Sequence, residues 1–158
     1  MIIREMQATD ELRHAIERDR PLVLIVEDQQ ELRQLYVEHL AMSGFDVIEA
    51  GNGADAITAT SALRPDVVLM DLSLPIVDGW EATRRLKADA RTAHIPVVAL
   101  TAHDGAGELR RATDAGCDWF VPKPCPPAAL VTELRRVLPP HRAGVRGGDP
   151  GLARAPPA

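Results

Sequence analysis

The stretch Asp66-Val67-Val68-Leu69-Met70-Asp71 decides how this chain folds. Four apolar residues run into a carboxylate, where a buried strand would break into a loop. A second run, Leu22-Val23-Leu24-Ile25-Val26, closes on Glu27-Asp28. A third, Val97-Val98-Ala99-Leu100, closes on Thr101, and a shorter one, Trp119-Phe120-Val121, is followed by Lys123. If these strands are parallel, the polar residues that end them share one edge of one sheet. Three carboxylates facing one lysine and one hydroxyl form a site for a divalent metal and a phosphoryl group.

Working outward, short apolar runs alternate with longer amphipathic segments. Strands are expected over 22–27, 45–49, 66–71, 95–100 and 118–121. Their hydrophobicity is nearly continuous, as in strands covered on both faces. Helices are expected over about 29–43, 53–63, 79–89, 105–115 and 126–138. In the first, Leu32, Leu35, Tyr36 and Leu40 form the apolar stripe, and Gly44 supplies the stop. In the last, the stripe is Leu130, Leu134, Val137 and Leu138, and Pro139-Pro140 ends it. Five βα units in a row predict an α/β fold: a parallel sheet with right-handed crossovers and helices on both faces.

The chain has 158 residues and a formal net charge of -5. That length accommodates one domain with a real core. The charge argues against general binding to nucleic acid or to anionic membrane. No apolar stretch approaches the roughly 20 residues of a membrane helix. Met1-Ile2-Ile3-Arg4-Glu5 lacks a signal-peptide layout, so a cytoplasmic location is expected. The two cysteines, Cys117 and Cys125, make neither a disulfide framework nor a zinc site and read as small apolar filler.

Three segments follow: an N-terminal extension over 1–20, the folded domain over 21–138 and a tail over 139–158. Residues 10–19 are expected as a short helix with Leu12, Ala15 and Ile16 on one face, ended by Pro21. It would dock on the domain, pair with a second subunit as a homodimer contact, or fray. The tail is rich in proline and glycine and is expected to be disordered.

In doubly wound sheets, ligands bind outside the carboxyl ends of the strands where the strand order reverses. With order 2-1-3-4-5, the first and third strands adjoin there, and Glu27, Asp28 and Asp71 converge. Like charges this close resist joint ionisation unless a cation joins them. Oxygen-only donors favour Mg²⁺. Asp28 and Asp71 are the best direct ligands, Glu27 acts through a water, and the Ser73 backbone carbonyl completes the protein's share. Asp71 is central and fits the role of a nucleophile forming an acyl phosphate. Lys123 would hold a phosphoryl oxygen as a point charge, and Thr101 would donate to another. Singly, each residue has a plainer reading: Asp28 as a helix cap, Lys123 as a solvated lysine, Phe120 as core. Their coincidence on successive strand ends favours the functional one.

These positions resemble the receiver domain of bacterial two-component response regulators. The resemblance is carried by Val23-Leu24-Ile25-Val26-Glu27-Asp28 and Asp71-Leu72-Ser73-Leu74-Pro75-Ile76-Val77-Asp78-Gly79, with Pro96-Val97-Val98-Ala99-Leu100-Thr101-Ala102 and Ala115-Gly116-Cys117-Asp118-Trp119-Phe120-Val121-Pro122-Lys123-Pro124. It covers about 22–138. It implies a flavodoxin-like doubly wound five-stranded sheet of order 2-1-3-4-5, and phosphorylation of Asp71 by a sensor histidine kinase or phosphotransfer protein. It also implies Mg²⁺ at Glu27, Asp28 and Asp71, a switch formed by Thr101 and Phe120, and a cis peptide at Lys123-Pro124. Ser73 and His103 would flank the path of attacking water. Phe120 replaces the tyrosine of many relatives, and Glu27 replaces a frequent aspartate while keeping the charge.

The expected function is a stand-alone switch that alters a protein-binding face toward a downstream protein, with no direct nucleic-acid contact and no membrane. It would catalyse only its own phosphoryl transfer and dephosphorylation. Rival readings are a phosphotransfer intermediate or phosphate sink, a DNA-binding regulator acting through a partner, and a flavin-binding protein of the same topology. The acidic loop Glu27-Asp28-Gln29-Gln30 disfavours the last, because a flavin phosphate needs amides and hydroxyls there.

Overall fold

The computed structural model describes residues 18–74, 77–102 and 106–138. Strands and helices alternate: β1 (Leu22–Val26), α1 (Gln30–Met42), β2 (Asp46–Ala50), α2 (Gly53–Leu63), β3 (Val67–Asp71), α3 (Gly79–Ala88), β4 (Val97–Thr101), α4 (Ala106–Ala115), β5 (Trp119–Pro122) and α5 (Pro127–Val137). The sheet is wholly parallel in the order β2-β1-β3-β4-β5. This is the flavodoxin-like order expected from the sequence, with element ends displaced by one or two residues.

Side chains alternate across the pleat and divide the interior into two cores. Leu24, Val26, Val68, Met70, Val97 and Ala99 face Ala56, Trp80, Ala82, Leu86 and Ala112 of α2, α3 and α4. Val23, Ile25, Val67, Leu69, Val98 and Leu100 face Tyr36, Leu40, Leu130 and Leu134 of α1 and α5. Every residue of β3 and β4 is therefore buried. Each fully buried Val, Leu or Ile contributes roughly 1.5–3 kcal/mol, so these central strands anchor the fold. The edge strand β2 exposes Asp46 and Glu49, charges that discourage pairing with another chain.

The α1 stripe differs from expectation. Tyr36 and Leu40 are buried and Leu32 and Val37 are partly so, but Leu35 is 50% exposed. Leu35 lies about 100° around the helix from Tyr36, on the side away from Val37, and turns to solvent. Gly44 takes the left-handed conformation (φ 97°) just past Ser43, as a helix stop requires.

The expected N-terminal helix over 10–19 falls mostly outside the described residues. Its last two positions, Arg18 and Asp19, are not helical. The tail expected over 139–158 lies wholly outside them.

The two ends of the strands are built differently. Helix carboxyl ends gather at the amino edge, and their last carbonyls accept hydrogen bonds from arginines. Arg18 donates to the Leu63 (2.8 Å) and Arg64 (3.1 Å) carbonyls. Arg20 reaches Ala41 at 2.7 Å, and Arg135 reaches Ser43 at 3.0 Å. Cations suit this negative end of the helix dipole. Acids pair with two of these arginines, Asp66 with Arg18 (3.7 Å) and Asp46 with Arg20 (3.9 Å), whereas the opposite edge holds the cluster Glu27, Asp28 and Asp71.

Candidate functional site

Each strand delivers its polar residue where the apolar run stops. Asp71 is the last residue of β3 and Thr101 the last of β4, and both are buried. Glu27 follows β1 and is fully buried, whereas Asp28 beside it is exposed. The Glu27 N–H donates to the Ala50 carbonyl at 3.1 Å, which fixes the turn against β2. Lys123 is brought in from β5, and its N–H donates to the Thr101 carbonyl at 2.7 Å.

The structure brings the two acidic regions and the lysine together. One carboxylate oxygen from each of Glu27, Asp28 and Asp71 lies within 4.8 Å of the others. The Lys123 ammonium donates to Asp71 Oδ2 at 3.0 Å and to Glu27 Oε2 at 3.2 Å. Backbone N–H groups take the remaining oxygens. Gln29 donates to Glu27 Oε1 at 3.2 Å, and Ser73 donates to Asp71 Oδ1 at 2.9 Å. The Ser73 N–H thus orients the Asp71 carboxylate from its own loop.

Electrostatics follow from this crowding. Burial, and then the nearby Asp71 carboxylate, push the Glu27 carboxyl up to about 7 despite the Gln29 N–H and the lysine. Burial works against the Lys123 charge, but its hydrogen bond to Asp71 and the attraction of both carboxylates hold it above the ordinary lysine value. Buried acids that repel each other, with an exposed third acid at the rim, form a donor set that a hard divalent cation would satisfy. The residues present therefore fit magnesium. Glu27, expected to act on a metal through a water, is wholly buried and pairs directly with Lys123.

Two plain readings fail on geometry. Asp28 is not the cap of α1. The N-cap is Gln29, which makes no side-chain capping bond. Lys123 is not a solvated surface lysine, since its side chain is only 22% exposed. The Lys123-Pro124 bond is cis, as the resemblance implied. Cys117 and Cys125 are both free thiols, Cys125 buried and Cys117 partly so.

Thr101 and Phe120 occupy one face of the sheet. Ala99 pairs with Phe120 and Thr101 with Pro122, so Thr101 and Phe120 are diagonal neighbours on adjacent strands. Phe120 is partly buried against the core under α2, α3 and α4. His103 lies outside the described residues.

Some contributors were not singled out by the sequence. Gly79 opens α3 where a Cβ would come 2.2 Å from the Asp71 carbonyl oxygen, so only glycine lets this helix start against the end of β3. Arg33 on α1 donates from Nη1 to the Glu27 carbonyl at 2.7 Å and from Nε to Glu49 Oε1 at 3.1 Å. The Tyr36 hydroxyl donates to the Cys125 carbonyl at 3.0 Å. Beforehand, Gly79 appeared only within the family-like motif and Tyr36 only as part of the apolar stripe of α1, and nothing pointed to Arg33.

Residues 23–135 match the response regulator receiver domain family. This chain is a member of it. Among related receivers, the polar-differentiation response regulator DivK of Brucella anthropi is 35% identical over 116 residues, spanning 73% of this chain and 94% of DivK. The phosphate regulon transcriptional regulatory protein PhoB of Pseudomonas aeruginosa is 35% identical over 134 residues, which span 85% of this chain but 56% of PhoB. The receiver fold is shared with the chemotaxis response regulator CheY4 of Vibrio cholerae (TM-score 0.72, 26% identity, 75% of this chain and 99% of that one). It is shared also with the receiver domain of the sensor histidine kinase PA1611 of Pseudomonas aeruginosa (TM-score 0.69, 31% identity, 74% and 96% covered). The structure of that domain has a magnesium ion coordinated in its active-site cleft. The chain is thus a receiver of two-component signalling, a family of signalling switches. Among its described residues, no helix is long and apolar enough to cross a membrane.

Proposed function

We propose that this receiver accepts a phosphoryl group on Asp71 from a sensor histidine kinase or phosphotransfer protein and relays the event to a downstream protein in the cytoplasm. The observation that carries the reading is the Lys123 ammonium held at 3.0 Å from Asp71 and 3.2 Å from Glu27, with Asp28 completing the acidic cluster. Asp71 is the nucleophile. Its carboxylate oxygen bonds to phosphorus as the bond from phosphorus to the donor's leaving atom breaks, and that leaving atom keeps the electron pair. The transfer is mainly positioning and charge stabilisation, so an activated donor needs little further apparatus. Lys123 offsets charge on the incoming phosphoryl oxygens, and the Thr101 hydroxyl donates to one of them.

Glu27, Asp28, Asp71 and the Ser73 carbonyl are the groups that would hold magnesium. Bound there, the ion neutralises charge shared by the carboxylate and the phosphoryl group. Thr101 and Phe120 form the switch. Drawing the Thr101 hydroxyl toward a phosphoryl oxygen frees space on the sheet face that Phe120 shares with it, and the surface of α4, β5 and α5 changes with it.

The test is labelling by a small acyl phosphate with Mg²⁺. The wild-type chain takes up one phosphoryl group and Asp71→Asn takes up none. Equal labelling of both proteins would remove Asp71 from the role.

A further inference from the structure

We propose that Arg33 and Tyr36 are positioning residues through which α1 holds both halves of the phosphorylation site in register. The inference rests on the reading of that site given above. Arg33 and Tyr36 lie three residues apart, so they project from adjoining parts of one helix surface. Arg33 holds the acidic turn at the Glu27 carbonyl (2.7 Å) and is itself braced by Glu49 of β2 (3.1 Å). Tyr36 holds the loop after β5 at the Cys125 carbonyl (3.0 Å), two residues past Lys123. The acids and the amine come from segments 96 residues apart in sequence, at Glu27 and Lys123. One rigid helix grips the backbone of each segment beside the functional side chain.

Both contacts are sheltered. Tyr36 is 2% exposed, and the Arg33 side chain is 19% exposed. Neither residue makes a hydrogen bond to the Asp71 carboxylate. Their chemistry suits the work. The planar guanidinium binds a carbonyl and a carboxylate at once, which a lysine ammonium cannot do with the same fixed fork. The tyrosine ring fills core beneath α1 while its hydroxyl crosses to the lysine loop.

A competing role for Arg33 is plain electrostatics, a cation beside an acidic cluster. The two roles predict opposite signs. If Arg33 acts only by its charge, removing the charge tightens cation binding. If Arg33 positions the turn, removing it weakens binding.

The experiment uses the full chain with Arg33→Gln, Arg33→Lys and Tyr36→Phe, each confirmed as folded by thermal melting. MgCl₂ is titrated by calorimetry, and the labelling rate with a small acyl phosphate is then measured at saturating Mg²⁺. Arg33→Gln is expected to bind Mg²⁺ about tenfold more weakly, the range seen when groups behind metal ligands are removed. Arg33→Lys falls between it and wild type. Tyr36→Phe is expected to keep the Mg²⁺ affinity but to be labelled about fivefold more slowly, the scale of one lost hydrogen bond. Arg33→Gln binding Mg²⁺ as tightly as wild type or tighter would overturn the proposal. So would Tyr36→Phe labelling at the wild-type rate, whatever either change does to the melting temperature. A wild-type chain that neither binds Mg²⁺ nor becomes labelled overturns the site reading and takes this inference with it, whereas variants matching a competent wild type overturn the inference alone.

Discussion

The Lys123 ammonium stands 3.0 Å from Asp71 Oδ2 and 3.2 Å from Glu27 Oε2, bridging the ends of two adjacent strands from a third. This one cation offsets the repulsion between two buried carboxylates.

Lys123→Ala removes that offset. The variant is expected to lose about 1–3 kcal/mol of stability, the cost of stripping a partner from buried charged groups. Mg²⁺ should raise its melting temperature more than that of wild type, because the ion takes over the same task. Labelling by an acyl phosphate should fall by at least about tenfold. Calorimetric melts with and without MgCl₂, and the labelling rate, check these outcomes. Wild-type behaviour in both would show that the lysine is dispensable.

Glu27 makes the site sensitive to pH. Its carboxyl is raised from 4.5 to about 7 in the folded chain by burial and by Asp71. The folded protein therefore holds a proton that the unfolded chain releases. The stabilisation from this group is fully present below about pH 4.5 and is lost as pH rises through about 7 in metal-free protein. Magnesium competes with that proton, so its apparent affinity should climb between about pH 5.5 and 8. Glu27→Gln should flatten both trends. Melts and Mg²⁺ titrations across this range provide the check, and a pH-independent wild type would refute it.

Two glycines should respond in opposite ways to alanine. At Gly79 the new methyl group would meet the Asp71 carbonyl oxygen at 2.2 Å, so α3 or the end of β3 must shift. Gly79→Ala is expected to cost about 1–3 kcal/mol and to slow labelling of Asp71. At Gly107, within α4, a Cβ meets nothing within 4 Å. Gly107→Ala is expected to be stabilising by about 0.5 kcal/mol, because it removes backbone freedom from a helix. Chemical denaturation of both variants separates the two cases.

The parts of this molecule legible in the sequence share one cause. Burial on both faces makes a strand continuously apolar, so the residue that breaks the run marks the strand's end. Asp71 and Thr101 announce themselves in this way, and the sheet order then brings those ends together. Helix stripes were less legible. Spacing alone placed Leu35 with Tyr36, and only the way α1 sits on the sheet shows that Leu35 faces water. The strand ends placed Glu27 and Lys123 in one site, but the full burial of Glu27 was hidden, because it depends on segments as far as 96 residues away closing over it. The grip of Tyr36 on the Cys125 carbonyl spans 89 residues and leaves no local pattern at all.

The central claim is that the carboxyl ends of β1, β3, β4 and β5 form one magnesium-assisted phosphorylation pocket. The most direct test is amide chemical-shift mapping of the labelled chain by NMR, first with MgCl₂ and then with beryllofluoride as a mimic of the phosphoryl group. The account predicts that the largest changes fall together at Glu27–Gln29, Asp71–Ser73, Thr101 and Lys123, and vanish in Asp71→Asn when beryllofluoride is added. Changes concentrated at the amino edge around Arg18, Arg20 and Arg135, or left intact by that substitution, would contradict it.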